Sequence, residues 1–494
     1  MKYKATSGAL GLILMLFSAS FLLPLLTGIY YHEGVGRMLV VFGLPMSMTL
    51  VFGLLLWYIG AEEVESLRER EGFAVVSLGW LLVAFFGALP YILSGTLTHF
   101  VDAYFESMSG FATCGATVIS APPDPQDYLD VYAHSIFMWR ALTQWIGGLG
   151  IIVFSVVILA RILGGGMHLF KAEVAGHTVT RLRPKLQQTA RLLWGIYLLF
   201  TLIEIALLKS AGVGLYDAIT HSFTTLATGG FGTHKASVAY WNSPWVDAIF
   251  CIFILIGSIS FVVHWQLLRG RVRSVLRDEE LQFFLFLVCG SVLFITLDLY
   301  LRHVYTSAAS ALRYGAFQAI TIQGTAGFTT ADFGSYASTW PVSSQLLLVL
   351  LMLIGGCVGS TAGAIKVSRI LIMLKVVKRE IQKVIHPRSV IPIRIGNVIV
   401  PEEIVHKISV FFFAYIASFF AISLMLTAVG LDIPSAFSAV ATTMGGVGPG
   451  LGSVAADMCT VPSVGKVILS LAMWLGRLEI FAALIIFAPS TYKS

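Results

Sequence analysis

The sequence is short of charge. Asp, Glu, Lys and Arg make up 12% of its 494 residues, against about 25% in soluble domains, so a water-facing surface cannot be built over the whole chain. It has no paired cysteines. The five, at 114, 251, 289, 357 and 459, form no CxxC and read as reduced, buried thiols. Its eleven histidines form no HExxH, so no metal-ligand site or bound cofactor is expected. No paired acids or Ser/His combination of the kind an intramembrane enzyme needs stands within its apolar spans. The formal charge of +6 is not a nucleic-acid footprint, because the basic residues are confined to particular loops.

Long hydrophobic runs are abundant. Residues 8–30, 38–59, 73–94, 189–208, 281–301 and 408–430 are each long enough to cross a hydrocarbon core, which takes about 20 helical residues. Buried strands stop after about 4–8 residues. The first run is too long for a secretory h-region and is expected to be a retained helix. Basic residues gather at Arg68 and Arg70, at Arg161, Lys171, Arg181, Arg183 and Lys185, at Arg269, Arg271, Arg273 and Arg277, and at Lys375, Lys378, Arg379, Lys383, Arg388 and Arg394. The intervening segments carry acids such as Asp124, Asp127 and Asp130. By the positive-inside rule the basic loops and both termini are expected on the cytoplasmic side.

Four segments align without gaps: DAYFESMSGFATCG (102–115), DAITHSFTTLATGG (217–230), YGAFQAITIQGTAG (314–327) and SAFSAVATTMGGVG (435–448). Each ends on a glycine, Gly115, Gly230, Gly327 and Gly448. Three place a threonine two residues earlier, Thr113, Thr228 and Thr325, where the fourth has Gly446. Each is followed by an apolar span with a shared glycine, Gly147, Gly257, Gly355 or Gly476, at 32, 27, 28 and 28 residues after its terminal glycine. Repetition at a fixed spacing is the signature of a repeat architecture.

The expected fold is an all-α polytopic membrane protein. Four pseudo-symmetric units, each an outer helix, a half-length pore helix of about 11 residues, an extended segment and an inner helix, surround one pore. Two extra N-terminal transmembrane helices precede them. The divisions are 1–70 for the extra helices, 71–188, 189–277, 278–400 with a broken inner helix, and 401–494. Asp102, Asp217 and Ser435 are expected to cap the pore helices, while Tyr314 leaves the third without a cap. Extended backbone at membrane depth survives only when buried in protein or lining a watery path. Rings of carbonyls can replace the hydration shell of a cation, and the pore helices would aim their negative ends at the same point. The candidate filter is therefore Thr113, Cys114, Gly115, Thr228, Gly229, Gly230, Thr325, Ala326, Gly327, Gly446, Val447 and Gly448, with the three threonine hydroxyls as a lower ring of oxygens. No acidic ring is present, which favours an alkali cation over a divalent one. The competing reading, that these glycines only permit close helix packing, suits the inner-helix glycines better than the filter.

The third inner helix crowds Gly355, Gly356, Gly359, Ser360, Thr361, Ala362 and Gly363 into its middle. Glycine costs about 1 kcal/mol relative to alanine in a helix, so an unwound loop is expected. Arg477 follows the fourth shared glycine, where the other copies have Gly148, Ser258 and Gly356. An intramembrane arginine is costly and functional by default. It stands either at the constriction as an electrostatic barrier or in an ion pair with Glu479. Lys366 reads as snorkelling to the inner surface. Glu204 and Asp298 lie in outer spans and are expected to be held by local hydrogen bonds.

TCGATVIS (113–120), ATGGFGT (227–233), GTAGFTT (324–330), GGVGPGLG (445–452) and GCVGSTAGAIKVSR (356–369) resemble the TrkH/KtrB family of potassium-translocating membrane subunits, over residues 73–487. The two extra spans resemble its Trk branch. The resemblance implies a K⁺ ion held by the filter carbonyls and by Thr113, Thr228 and Thr325. It makes the loop of Gly355, Gly356, Gly359, Ser360, Thr361 and Gly363 an intramembrane gate, with Arg477 the candidate gate residue of the fourth unit. It also implies an inner-membrane homodimer with a pore in each protomer, and cytosolic TrkA-like nucleotide-binding regulatory subunits. Gly446 departs from the asparagine often found there, and Ala364 from the glycine of the usual STAGGIKV pattern. Whether transport is channel-like or coupled to Na⁺ or H⁺ stays open.

Overall fold

The computed structural model describes residues 2–67, 69–122, 126–162, 182–396, 398–478 and 480–484. Arg68, Asp124, Lys171, Arg181 and Glu479 of the sequence reading lie outside these. Six helices are long and apolar enough to cross a membrane: Tyr3–Tyr30, Val35–Val64, Glu71–Leu93, Gln188–Ser210, Glu279–Leu301 and Glu402–Ala428. They coincide with the six hydrophobic runs. The only strands among the described residues, Arg394–Ile395 and Val398–Ile399, form one short antiparallel hairpin.

The first two helices pack backbone to backbone. A Cβ on Gly11 would stand 2.6 Å from Gly53 O, and one on Gly53 would stand 3.0 Å from Gly11 O. Small residues let membrane helices approach this closely. The other four long helices are the outer helices of the four units. Their outward faces are apolar and uncovered, as with Phe286 at 70% and Phe413 at 74% exposure, which suits a hydrocarbon surround. The cysteines follow the same division. Cys114 and Cys357 are buried, but Cys251 and Cys459 are half-buried and Cys289 is exposed, so burial is not general. All five are free thiols.

Each outer helix is followed by a pore helix: Phe100–Phe111, Leu215–Leu226, Ala308–Gln323 and Ile433–Gly445. At 12 to 16 residues they are too short to span. Their caps differ from expectation. The N-caps are His99, Gly214, Ser307 and Asp432. Asp102 and Asp217 lie inside the first turn, where their charge still complements the helix dipole, and Ser435 also lies past the cap. The third helix starts earlier than Tyr314 and does have a capping side chain, since Ser307 accepts from Ser310 N at 3.1 Å.

The four inner helices are unlike one another. The first runs unbroken from His134 to Ile162. The second is Pro244–Ser258 and Phe261–Leu268, bent by 101° between them. The third is Val342–Ile354 and Val367–Ile385, with a long loop between. The fourth, Ser463–Arg477, ends at its arginine. The break in the third was expected; the one in the second was not.

Candidate functional site

Every pore helix leads, at once or after a single right-handed residue, into three residues of one backbone pattern. The first residue is left-handed: Thr113 at φ 50°, Thr228 at 52°, Thr325 at 55° and Gly446 at 71°. The third is a glycine of positive φ: Gly115 at 80°, Gly230 at 77°, Gly327 at 76° and Gly448 at 119°. A β-branched residue at positive φ is an outlier that costs of order 1–3 kcal/mol, and three copies carry one.

Hydrogen bonds to the pore helix hold this conformation. The middle-residue amides donate backwards, Cys114 to Ser109 O at 2.9 Å, and Gly229 to Thr224 O, Ala326 to Thr321 O and Val447 to Thr442 O at 2.8 Å. Gly448 N donates to Thr442 Oγ1 at 2.6 Å. A trans peptide places its carbonyl opposite its amide. The carbonyls of Thr113, Thr228, Thr325 and Gly446 therefore face away from their own helices. Among the described residues they accept no hydrogen bond, nor do those of Gly115, Gly230, Gly327 and Gly448. Buried carbonyls are normally paired, so a set of them left open by all four copies calls for a partner, and rings of such carbonyls can replace the hydration shell of a cation.

The copies close into a ring. A Cβ on Gly115 would collide with Gly229 O, one on Gly230 with Ala326 O, and one on Gly327 with Val447 O. A Cβ on Gly448 would stand 3.1 Å from Cys114 O. Each unit thus presses on the middle carbonyl of the next, and the fourth returns to the first through the loosest seam. The middle carbonyls line these joints, and among the described residues those of Cys114, Ala326 and Val447 also accept no hydrogen bond. Gly229 O also accepts from Gln144 Nε2 at 2.8 Å.

The threonine hydroxyls are not equivalent. Thr228 donates to Ala227 O at 2.7 Å, and Thr325 Oγ1 accepts from Gly363 N at 2.8 Å. Thr113 Oγ1 has no partner among the described residues.

Polar contacts brace the ring from behind. Glu106, fully buried, takes Arg140 Nε at 2.8 Å and Val118 N at 2.9 Å. Arg140 reaches on to Gly232 O at 3.1 Å and lies over the Phe231 ring at 4.1 Å, so one ion pair ties the first two segments of the ring. Gln144 adds Phe231 N at 3.1 Å. Sequence reasoning missed these three residues. The signal that singles out Arg477, a charge inside an apolar helix, applies equally to Arg140.

Outside, the seam between the first and second units is closed by His234. Its Nδ1 meets Asp127 Oδ2 at 2.5 Å and its Nε2 meets Asp217 Oδ2 at 3.3 Å. Burial opposes the charged ring, but the two carboxylates outweigh it and raise the His234 pKa. Burial likewise pushes Asp127 up, while the Lys235 amide and His234 outweigh it and hold its carboxyl low. The remaining seams carry Arg313–Asp247 at 2.7 Å, Tyr336–Asp432 at 2.9 Å and Lys466–Asp102 at 2.7 Å.

Beneath the ring, three of the shared inner-helix glycines pack on pore-helix ends. A Cβ on Gly147 would collide with Phe111 O, one on Gly476 with Met444 O, and one on Gly257 would stand 3.1 Å from Leu226 O. The third, Gly355 at φ 74°, instead ends its helix. The loop that follows passes under the pore helices. Thr361 Oγ1 donates to Leu226 O at 2.8 Å, Thr361 N to Gly257 O at 3.1 Å and Cys357 N to Ser258 O at 2.9 Å. Gly363 abuts Gly445 O. Arg477 is buried and donates from Nη1 to Thr361 O at 2.9 Å, while its Nε and Nη2 have no partner among the described residues. The gate candidates of the third and fourth units are thus in contact. Lys366 is buried and its Nζ donates to Ala362 O, so it turns inward rather than snorkelling. Asp298 is held locally by Arg302 at 2.8 Å and Ser344 at 2.7 Å. Glu204 is buried beside the Thr225 hydroxyl of the second pore helix, though neither of its oxygens meets full hydrogen-bond geometry among the described residues.

Comparison with known proteins agrees with this architecture. The family described as "TrkH: Cation transport protein" matches residues 41–493. The Trk system potassium uptake proteins TrkH of Salmonella typhimurium and Escherichia coli are each 39% identical to this chain, over 100% of both chains. The crystal structure of the potassium transporter TrkH from Vibrio parahaemolyticus superposes with a TM-score of 0.89, at 37% identity and full coverage of both chains. The chain belongs to the TrkH family of cation transport proteins.

Proposed function

We propose that this chain takes up potassium through the ring of four filter segments. The observation that carries the reading is the set of buried carbonyls at Thr113, Thr228, Thr325 and Gly446, turned away from their helices and closed into a ring by the glycines that follow. A dehydrated alkali cation is the ligand that such a set of neutral oxygens suits. Relatives 39% identical over the full length are named potassium uptake proteins, which supports K⁺ as the cargo.

In this reading residues 71–188, 189–277, 278–400 and 401–494 are four pore units and residues 1–70 an accessory hairpin. The loop at Gly355, Gly356, Gly359, Ser360, Thr361 and Gly363 is the gate. Arg477 stands under the filter as a positive barrier to cations. The protein sits in the inner membrane with both termini cytoplasmic, as a homodimer whose basic inner loops receive nucleotide-binding subunits. The test is Rb⁺ uptake into proteoliposomes holding the purified chain, with and without such subunits. Uptake that K⁺ competes for better than Na⁺ is expected; no uptake under either condition overturns the reading. Flux measured against imposed Na⁺ and H⁺ gradients separates a channel from a symporter.

A further inference from the structure

Among the described residues, the gate loop is also anchored on the outer helix of its own unit. Glu280, in the first turn of the third outer helix, accepts from Val358 N through Oε1 at 2.7 Å. Val358 lies between Gly356 and Gly359, in the middle of the unwound stretch, where no intrahelical carbonyl is available to its amide. The neighbouring Glu279 faces the cytosolic side. Its Oε1 takes Lys375 Nζ, on the helix that leaves the loop, and its Oε2 takes Gly396 N at 2.6 Å, in the short hairpin. Lys375 also donates to Arg394 O at 2.6 Å. Asp278 caps this turn through Leu281 N at 2.9 Å, which fixes both carboxylates on one rigid helix end.

We infer that Glu280 is a positioning residue that holds the 355–366 loop across the conduction path, and that Glu279 links the same helix end to the cytosolic helix and hairpin. This rests on the reading of that loop as the gate. The bond runs from a backbone amide with no substitute partner in its own helix to a carboxyl oxygen on a rigid helix end, and a buried donor that loses its acceptor bears the full desolvation cost of that group. Removing the acceptor frees the centre of the loop while the filter, which Glu280 does not touch, keeps its ring. Movement of the hairpin and cytosolic helix reaches the loop through two adjacent residues rather than through the pore wall.

The experiment compares Rb⁺ flux and K⁺/Na⁺ preference in proteoliposomes for the full chain, Glu280→Ala, Glu280→Gln and Arg477→Ala. Glu280→Ala is expected to raise basal flux by roughly tenfold, the factor carried by one such bond in a two-state equilibrium, with ion preference unchanged. Glu280→Gln keeps an acceptor oxygen and is expected to stay within about threefold of the parent. A purely structural role would lower flux in both and spare neither. Should Glu280→Ala not purify as a folded protein, Glu280→Asp takes its place, its shorter reach giving the same direction of change. Parental flux in the folded Ala or Asp variant, with a leak in Arg477→Ala, overturns the role of Glu280 and leaves the gate standing. Parental flux in both overturns the gate reading itself.

Discussion

The ring of left-handed backbone segments and the layer beneath it are built from the same four repeats, yet one is nearly fourfold and the other is not. In the ring, four three-residue segments share the same signs of φ, and each packs on the next. One turn lower, an unbroken helix, a 101° bend, a twelve-residue interruption and a helix that ends at an arginine stand at equivalent places. Under the proposed function the difference has a reason: coordinating a central ion needs matching oxygens from every side, whereas blocking a path needs one obstruction, which leaves the lower layer free to diverge.

The first and third inner helices make the point within the lower layer. Both carry a glycine pair, Gly147–Gly148 and Gly355–Gly356. The first stays helical because Gly147 rests against Phe111 O. The third unwinds because Gly359, Ser360 and Gly363 follow, and because outside partners take up the freed amides: Ser258 O, Gly257 O, Thr325 Oγ1 and Glu280. A glycine pair alone does not break a membrane helix; satisfied polar groups elsewhere must make the break tolerable.

The largest expected effect tests what holds the symmetric layer together. Arg140→Leu leaves Glu106 buried without its cation, and breaking such a pair typically destabilises by about 3–5 kcal/mol. Thermal unfolding in detergent is expected to show it, and Glu106→Gln with Arg140→Leu together is expected to recover part of the loss. A single variant as stable as the parent would detach the ion pair from the ring. Next, Gly230→Ser and Gly327→Ser place a side chain against the neighbouring carbonyl at positive φ. Each is expected to reduce K⁺ preference over Na⁺ by roughly tenfold or more, the equivalent of about 1.4 kcal/mol. Gly448→Ser, at the looser seam, is expected to do less. Retained selectivity in Gly230→Ser and Gly327→Ser would mean that the ring is not the filter.

For the asymmetric layer the effect moves to flux. Arg477→Ala removes the buried charge and the bond to Thr361 O. A severalfold rise in Rb⁺ flux with unchanged ion preference is expected, on the order of one charge-assisted bond. Parental flux in a folded variant would sink the barrier.

Much of this arrangement was readable from the residues alone. The six long spans, the four pore helices and the third break each had a local cause in composition. The second break did not. Ile259 stands between two serines with no glycine beside it, and its helix opens where amides of the gate loop capture Ser258 O and Gly257 O. That cause lies about a hundred residues away in the chain. The brace at Gln144 and Glu106 was hidden for the same reason, since their partners belong to other segments. Asp102 and Asp217 were placed at helix caps by residue type, but a seam partner fixes each of them: Lys466 for one, Thr233 and His234 for the other.

The outer seam supplies a weaker, pH-dependent test. His234 is raised by its carboxylates, so its contribution is full below the unfolded pKa and is lost as pH rises through the folded one. Asp127 is held low, so its contribution is present above its unfolded pKa and is lost as pH falls through the folded one. The seam between the first two units is therefore tightest between those limits and loosens on the alkaline side through His234. His234→Gln is expected to flatten the alkaline limb of a stability profile and leave the acid limb of the other seams in place. A parental alkaline limb in that variant would remove His234 from the seam's energetics.

The smallest expected effect concerns the one filter segment that lacks a threonine. Gly446 adopts φ 71° without the strain carried by Thr113, Thr228 and Thr325, and a Cβ there would meet only Ala112 O and Thr113 O at 3.8 Å. Space is therefore available, and asparagine tolerates the left-handed region better than most residues. Gly446→Asn is expected to fold with less than about 1 kcal/mol of change. K⁺ preference is expected to hold or rise slightly. Gly446→Val, β-branched at the same φ, is expected to be clearly worse, because it adds the left-handed strain of about 1–3 kcal/mol without a polar group to offset it. Equal behaviour of Asn and Val in ion preference and unfolding would mean that the fourth segment does not share the backbone rule of the other three, and the ring would then be threefold with a bystander.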